Sequence, residues 1–204
     1  MFNVMIVEKD PMIRKLIEIY IEKDNQYKIV AAIDNLVKVK QLCITYRVDL
    51  ILMDIFVETD INSFDVSKGI KNKMYNTKII LMTGLPEYSF IKKAKFIGID
   101  SFWYKMDDEQ QLKRIMDLTL KGKSIYPDKT PVVKLGSALS DDFTNRELDV
   151  LRELIDGKTD AQIAEALCIS VITVKQHIQK LREKTKFHNR TELAVKTRAS
   201  GLII

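Results

Sequence analysis

The sequence predicts two folds in series: an α/β doubly wound domain with a five-stranded parallel sheet of flavodoxin-like type, then an all-α, four-helix helix-turn-helix domain. Two observations predict this. Up to about residue 122, short β-rich apolar runs alternate with stretches of helical period, the pattern of strands joined by crossover helices. From residue 141 the period is helical throughout, and the helix starts carry capping residues. The 204 residues also exceed a modal domain of roughly 100 to 150, so two small cores are expected rather than one.

The strands are expected at Asn3 to Val7, Lys28 to Ala32, Leu50 to Met53, Lys78 to Met82 and Ser101 to Tyr104. Pro11 suits the first turn of a helix, whose apolar face is Met12, Ile13, Leu16, Ile17 and Tyr20. Further helices are expected near 36–46, 64–73, 88–97 and 108–121, which completes a 1–122 domain. In such sheets ligands lie outside the carboxyl ends of the strands, at the switch point of the strand order. Residues 123–140 hold Pro127, Pro131 and Gly136, break both periodicities and read as a linker.

In the 141–204 domain, Thr144 with Glu147, Thr159 with Gln162, and Asn189 with Glu192 each set a capping side chain three residues before Glu or Gln. Ser170 caps another start, and Gly157 closes the first helix. Helices are therefore expected at 145–156, 160–167, 171–185 and 190–199. The second and third are joined by a turn of about three residues, the helix-turn-helix spacing.

Composition narrows the classes. Hydrophobic residues at 46% and charged residues at 30% exclude collagenous and disordered chains. No apolar run approaches the roughly 18 residues of a membrane span, and the start MFNVMIV lacks a basic n-region and a cleavage site. A cytoplasmic protein without membrane contact is expected. Cys43 and Cys168 show no ligand spacing and read as small buried apolar residues, while His177 and His188 are too few for a metal site. The net charge of +5 is unevenly spread. Residues 141–170 carry three basic against eight acidic side chains, whereas 171–204 carry eight basic against two acidic, as a phosphate-facing stretch requires.

Within the third helix of this domain, Val174, Ile178 and Leu181 recur at core spacing. The opposite face offers Lys175, Gln176, Gln179 and Lys180, with donors and acceptors matched to guanine and adenine edges. Thr173, His177 and Lys180 are placed for phosphates, with packing an equal reading for His177. In the first domain Asp54 ends the run LILM, and Glu8, Thr83 and Lys105 end three other strands. An aspartate that accepts a phosphoryl group needs Mg²⁺, a cation and a hydroxyl donor, which Glu8, Lys105 and Thr83 respectively would serve.

The stretches REL-x-VL, G-x-T-x-x-x-IA-x-x-L, IS-x-x-TVK-x-H and RTE resemble LuxR-type DNA-binding domains. IVEKDP, DLILMDI, IILMTG and GIDSFWYK resemble response-regulator receivers, so the whole chain is similar to the NarL/FixJ group of two-component response regulators. The resemblance implies a transcriptional regulator controlled by phosphorylation of Asp54, with Glu8 beside Mg²⁺, Thr83 as the switch hydroxyl, Lys105 on the phosphate and Phe102 as the aromatic that reorients. It implies a homodimer on double-stranded DNA, with Lys175, Gln176 and Gln179 nearest the bases and Arg190 near backbone phosphate, and a histidine kinase as partner. No enzyme is expected beyond a receiver that catalyses its own phosphoryl transfer and dephosphorylation.

The chain departs from the receiver pattern where two adjacent acids are usual: Glu8 is followed by Lys9. An ammonium gives Mg²⁺ nothing to bind; Asp10, counted with the receiver pocket, would partly compensate if the loop adjusts, though its expected position is past the pocket. The loop IFVETDINSFD also lacks the usual Pro and Gly pair. Two versions follow: phosphorylation with weakened Mg²⁺ affinity, or a phosphorylation-independent regulator in which Lys9 is a built-in counterion. Rivals of other classes are an aspartate-nucleophile phosphatase, which lacks an evident second catalytic carboxylate, and a protein-interaction adaptor, which leaves the Lys and Gln face unexplained.

Overall fold

The computed structural model describes residues 1–55, 61–74, 76–87, 89–105 and 109–203, without the side chain of residue 109. The chain divides into two compact units, Met1–Gly84 with Ser89–Asp128, and Lys129–Ile204 with Leu85–Tyr88.

The first unit runs β1 (Phe2–Val7), α1 (Pro11–Glu22), β2 (Tyr27–Ile33), α2 (Val39–Tyr46), β3 (Leu50–Asp54), α3 (Ser63–Lys73), β4 (Lys78–Thr83), α4 (Ser89–Phe96), β5 (Ser101–Tyr104) and α5 (Glu109–Leu120). The five strands pair in parallel in the order β2-β1-β3-β4-β5. Because side chains alternate across a strand, each central strand feeds two layers. Val4, Ile6, Leu50, Leu52, Ile80, Met82 and Trp103 join Ile17 and Ile21 of α1 and Leu112, Ile115 and Met116 of α5 in one apolar cluster. The alternate residues Met5, Val7, Ile51, Met53, Ile79, Leu81 and Phe102 are equally buried, as are the inner residues Val39, Cys43, Val66, Ile70, Phe90 and Ala94 of α2, α3 and α4.

Every expected strand and helix of this unit is present; Ser101–Tyr104 matches at both ends, and no described end moves by more than three residues. The expected helix starts at 88 and 108, and most of the loop after Asp54, lie outside the described residues. Residues after α5 do not leave the sheet at once: Phe102 N donates to Ile125 O at 2.9 Å, and Ile125 N donates to Ser101 Oγ at 3.0 Å. Ile125 also packs on the α1/α5 cluster.

The second unit begins with a hairpin, β6 (Lys134–Leu135) and β7 (Ala138–Leu139), inside the stretch that reads as a linker. Leu135 and Ala138 are buried in the core of this unit, a tertiary role that four short residues around Gly136 do not announce in sequence. A single 3-10 turn (Ser140–Asp142) leads to α6 (Asn145–Ile155), α7 (Asp160–Ala166), α8 (Val171–Thr185) and α9 (Arg190–Ser200). Leu148, Leu151, Leu154, Ile163, Val174, Ile178, Leu181 and Leu193 form their common core.

The caps act as their spacing suggests, with one exception. Thr144 and Glu147 form a reciprocal box, as do Thr159 and Gln162, and Ser170 Oγ accepts from Thr173 N at 3.0 Å. Asn189 Oδ1 accepts from Glu192 N at 2.8 Å, but Glu192 returns its carboxylate to His188 N–H instead of to Asn189. Gly157 takes φ 79° after α6, where a Cβ would be strained.

Candidate functional site

The pocket of the first unit is built by strand ends. β1 delivers Glu8, β3 ends on Asp54, β4 ends on Thr83, and β5 is followed by Lys105. Parallel pairing sets these ends side by side: Asp54 is opposite Met82, and Thr83 is opposite Tyr104. Backbone bonds continue the ladder past the strands, with Glu8 N to Ile33 O, Ile55 N to Met82 O and Lys105 N to Thr83 O, each 2.9 Å.

Lys105 Nζ lies 2.6 Å from Glu8 Oε2 and 2.6 Å from Asp54 Oδ1. The Glu8 side chain is only 1% exposed, against 11% for Lys105 and 15% for Asp54. Asp54 is the carboxylate that opens to solvent. Burial pushes its pKa up to about 6, against the opposing pull of the Lys105 ammonium and the Ile55 amide, while the negative charge of Glu8 adds to the rise. Glu8 Oε2 is buried against the Lys105 ammonium, and Glu8 Oε1 accepts from Asp10 N at 3.0 Å.

The remaining predicted pocket residues take different places. Asp10 is exposed and its Oδ1 caps α1, accepting from Met12 N at 2.8 Å and Ile13 N at 3.0 Å. Those bonds hold the Asp10 carboxyl below the usual range, and the nearby Lys105 charge adds to the effect. Lys9 is exposed, and the cation 2.6 Å from Asp54 is Lys105. Thr83 is buried at the end of β4, and Phe102 is fully buried with its ring edge-on to Tyr104 at 5.1 Å. Sequence reasoning missed two residues that hold the pocket's backbone. Arg14 donates to Glu8 O at 2.6 Å, and Ser63 Oγ donates to Asp54 O at 2.7 Å. Neither has a local signal, since each acts across a loop.

Among the described residues no group of three or more His, Cys, Asp or Glu is placed to hold a metal ion. Glu8 and Asp54 nevertheless present two carboxylates to one point, with a single lysine between them. Mg²⁺ commonly keeps several waters and takes only one or two carboxylates beside a phosphate, so this pair suits a weak, water-rich site.

In the second unit, α8 turns Val174, Ile178, Leu181 and Thr185 inward and leaves Lys175, Gln176, Gln179 and Lys180 exposed. Gln179 Nε2 donates to Glu183 Oε1 at 2.9 Å, one turn on. Thr173 and His177 are half-buried at the margins of this face, and His177 Nδ1 is enclosed without a partner. The Thr173 hydroxyl lies 2.9 Å from Ser170 Oγ. Arg190 is held within the unit, paired with Asp160 and donating to Lys158 O, so it ties the start of α9 to the start of α7.

Such a pocket on a doubly wound sheet, followed by a helix-turn-helix with a cationic outer face, defines a DNA-binding transcriptional regulator with a signal-receiving domain. Residues 4–117 match the response regulator receiver domain, and residues 141–197 match the bacterial regulatory proteins of the luxR family. The chain belongs to the response regulators that join a receiver to a LuxR-type domain. The Fimbriae Z protein of Salmonella typhimurium is 28% identical over 198 residues, covering 94% of this chain and 93% of its own. The response regulator protein VraR of Staphylococcus aureus is 24% identical over 202 residues, covering 95% and 94%. RcsB from Salmonella enterica serovar Typhimurium, solved bound to a promoter, superposes with a TM-score of 0.64 at 17% identity and covers 98% of both chains. No helix among the described residues is long and apolar enough to cross a membrane.

Proposed function

We propose that this regulator is switched by phosphorylation of Asp54 and binds paired DNA half-sites as a homodimer through α8. The observation that carries the first part is the shared lysine: Lys105 contacts Glu8 and Asp54 at once from 2.6 Å, at the carboxyl edge of the sheet. An Asp54 oxygen attacks the phosphorus of a phosphohistidine or small acyl phosphate. The new P–O bond forms as the donor's bond to phosphorus breaks, and the leaving group keeps that electron pair. Lys105 follows the charge onto the phosphoryl oxygens. Thr83, one residue beyond the partner of Asp54 on β4, donates its hydroxyl to the same group. Phe102 then moves toward the space Thr83 leaves.

Glu8 and Asp54 would hold Mg²⁺, with water and phosphoryl oxygens completing its shell. When bound it neutralises charge on the transferring group. The receiver's own Asp54, Lys105 and Thr83 would carry its phosphorylation and dephosphorylation. A histidine kinase is the expected donor, and the cytoplasm the expected compartment. The domains are taken as 1–122 and 141–204, with 123–140 between them.

On the DNA side, Lys175, Gln176 and Gln179 face base edges in the major groove, with Thr173, His177, Lys180 and Arg190 nearer phosphates. The exposed row on α8 supports this reading, as does the luxR-family match over 141–197. RcsB, solved as two dimers on two parallel DNAs, lends support for a dimer.

Intact-protein mass after incubation with Mg²⁺ and acetyl phosphate tests the switch. One added phosphate that is lost in Asp54→Asn supports it. An unmodified chain that still binds DNA specifically would make phosphate dispensable.

A further inference from the structure

We infer that Ile172 is a base-reading residue of this protein, packing against the C5-methyl group of a thymine in the major groove. The inference rests on α8 being the DNA-recognition helix and adds a contact that hydrogen-bonding groups do not supply.

Ile172 is 69% exposed in the first turn of α8. At 100° per residue it shares a face with Gln176, Gln179 and Glu183, opposite the buried Val174, Ile178 and Leu181. It is therefore not a core residue displaced by a helix end. It is a large aliphatic side chain in the middle of the polar face, flanked by the ammonium of Lys175 and the amide of Gln176.

Such a residue gains nothing from water and has no hydrogen bonds to offer a phosphate. The major groove presents one apolar group, the thymine methyl, among donors and acceptors that suit the neighbouring Lys and Gln side chains. In helix-turn-helix domains the amino-terminal turns of the second helix approach the base edges, and this is where Ile172 sits. Its turn is also prepared for contact. Ser170 caps it through Thr173 N at 3.0 Å, and a β-branched side chain on a helix holds essentially one χ1 rotamer, so little freedom is lost on docking. The charge of the surround selects DNA over a second protein: Lys175 and Lys180 both border the patch.

The test begins with the full chain, Mg²⁺ and acetyl phosphate, and selection of bound sequences from a randomised duplex library. Each thymine of the enriched site is then replaced by deoxyuridine, which removes only the methyl, and affinity is read by anisotropy at fixed salt. One thymine per half-site should weaken wild-type binding about fourfold on replacement, the value of one buried methyl-sized group. Ile172→Ala should lose a similar factor on the thymine site and be indifferent to deoxyuridine there. The substitution is at an exposed helical position, and an unchanged melting curve verifies the fold. The inference is overturned if no deoxyuridine replacement affects the wild type, or if wild type and Ile172→Ala respond alike. It is also overturned if Ile172→Ala instead weakens self-association in sedimentation, since the face would then meet protein. Failure to enrich any sequence would bring down the DNA reading itself, which separates the two failures.

Discussion

Lys105 Nζ stands 2.6 Å from Asp54 Oδ1 while holding Glu8 Oε2 at the same distance, so one cation serves two carboxylates. The cluster of these three side chains keeps one unit of negative charge that no member cancels. Burial is the chief cause of the raised Asp54 pKa and the charge of Glu8 adds to it, while the residual charge leaves room for a cation or a phosphoryl group.

Phosphorylation by acetyl phosphate should depend on pH through Asp54. The nucleophile is the carboxylate, and its pKa is pushed up to about 6, so the labelling rate should fall about tenfold per unit below that value and level off above it. Mass-spectrometric rates from pH 5 to 8, with donor hydrolysis corrected, give the profile. A rate flat down to pH 5 would remove Asp54 as a perturbed nucleophile.

The same shift bears on stability. The folded pKa of Asp54 lies above its unfolded value, so its favourable contribution is complete below about pH 4 and is lost as pH rises through about 6. Asp54→Asn should therefore be more stable than wild type at pH 7 without Mg²⁺, by on the order of 2 kcal/mol, with the two converging near pH 4. Glu8 remains to hold Lys105 in that variant. Chemical denaturation of both proteins across this range measures the difference, and parallel curves would refute it.

Removal of the shared cation should be costly. Lys105→Met leaves Glu8 and Asp54 facing each other in a buried pocket, and the loss of one partner from such a cluster costs roughly 3 to 5 kcal/mol. Adding Asp54→Asn should recover part of that loss, and a double-mutant cycle reads the coupling. Millimolar Mg²⁺ should raise the melting temperature of wild type, with EDTA reversing it and Asp54→Asn largely abolishing it.

Arg190 offers a direct contest between two roles. It pairs with Asp160 and donates to Lys158 O, so Arg190→Ala should lower the stability of the second unit by about 1 to 2 kcal/mol. Lys175→Ala, at an exposed position, should leave stability unchanged and weaken specific DNA binding by about 1 to 3 kcal/mol. If Arg190→Ala keeps full stability and only reduces the salt dependence of DNA binding, phosphate contact is its main role.

Gly136 should tolerate no side chain. Its φ is 63°, and a Cβ there would fall 2.1 Å from Thr185 O, at the end of α8. Gly136→Ala should cost roughly 2 to 3 kcal/mol, read as an earlier melt of the second unit while the first unit's transition is kept.

Much of the second unit was legible because its signals are local. A threonine three residues before Glu147 or Gln162 can satisfy amides only in a helix start, and Val174, Ile178 and Leu181 can share a face only at helical period. The hairpin around Gly136 was not legible, since two-residue strands have no period and the glycine is explained by its positive φ and the close Thr185 carbonyl. Glu192 shows the same limit on a smaller scale: the spacing was correct, but the carboxylate found His188 N–H.

By itself the sequence determined the order of strands and helices, the two cores, the acidic strand ends and the polar face of α8, because periodicity, caps and apolar runs act over a few residues. Only the tertiary structure decided that Lys105 bridges Glu8 and Asp54, that Arg14 and Ser63 pin the pocket's carbonyls, and that Arg190 is held by Asp160. Those partners are six or more residues apart along the chain, beyond the reach of a local pattern, and a side chain's choice among acceptors depends on distances and burial that exist only after the strands have paired.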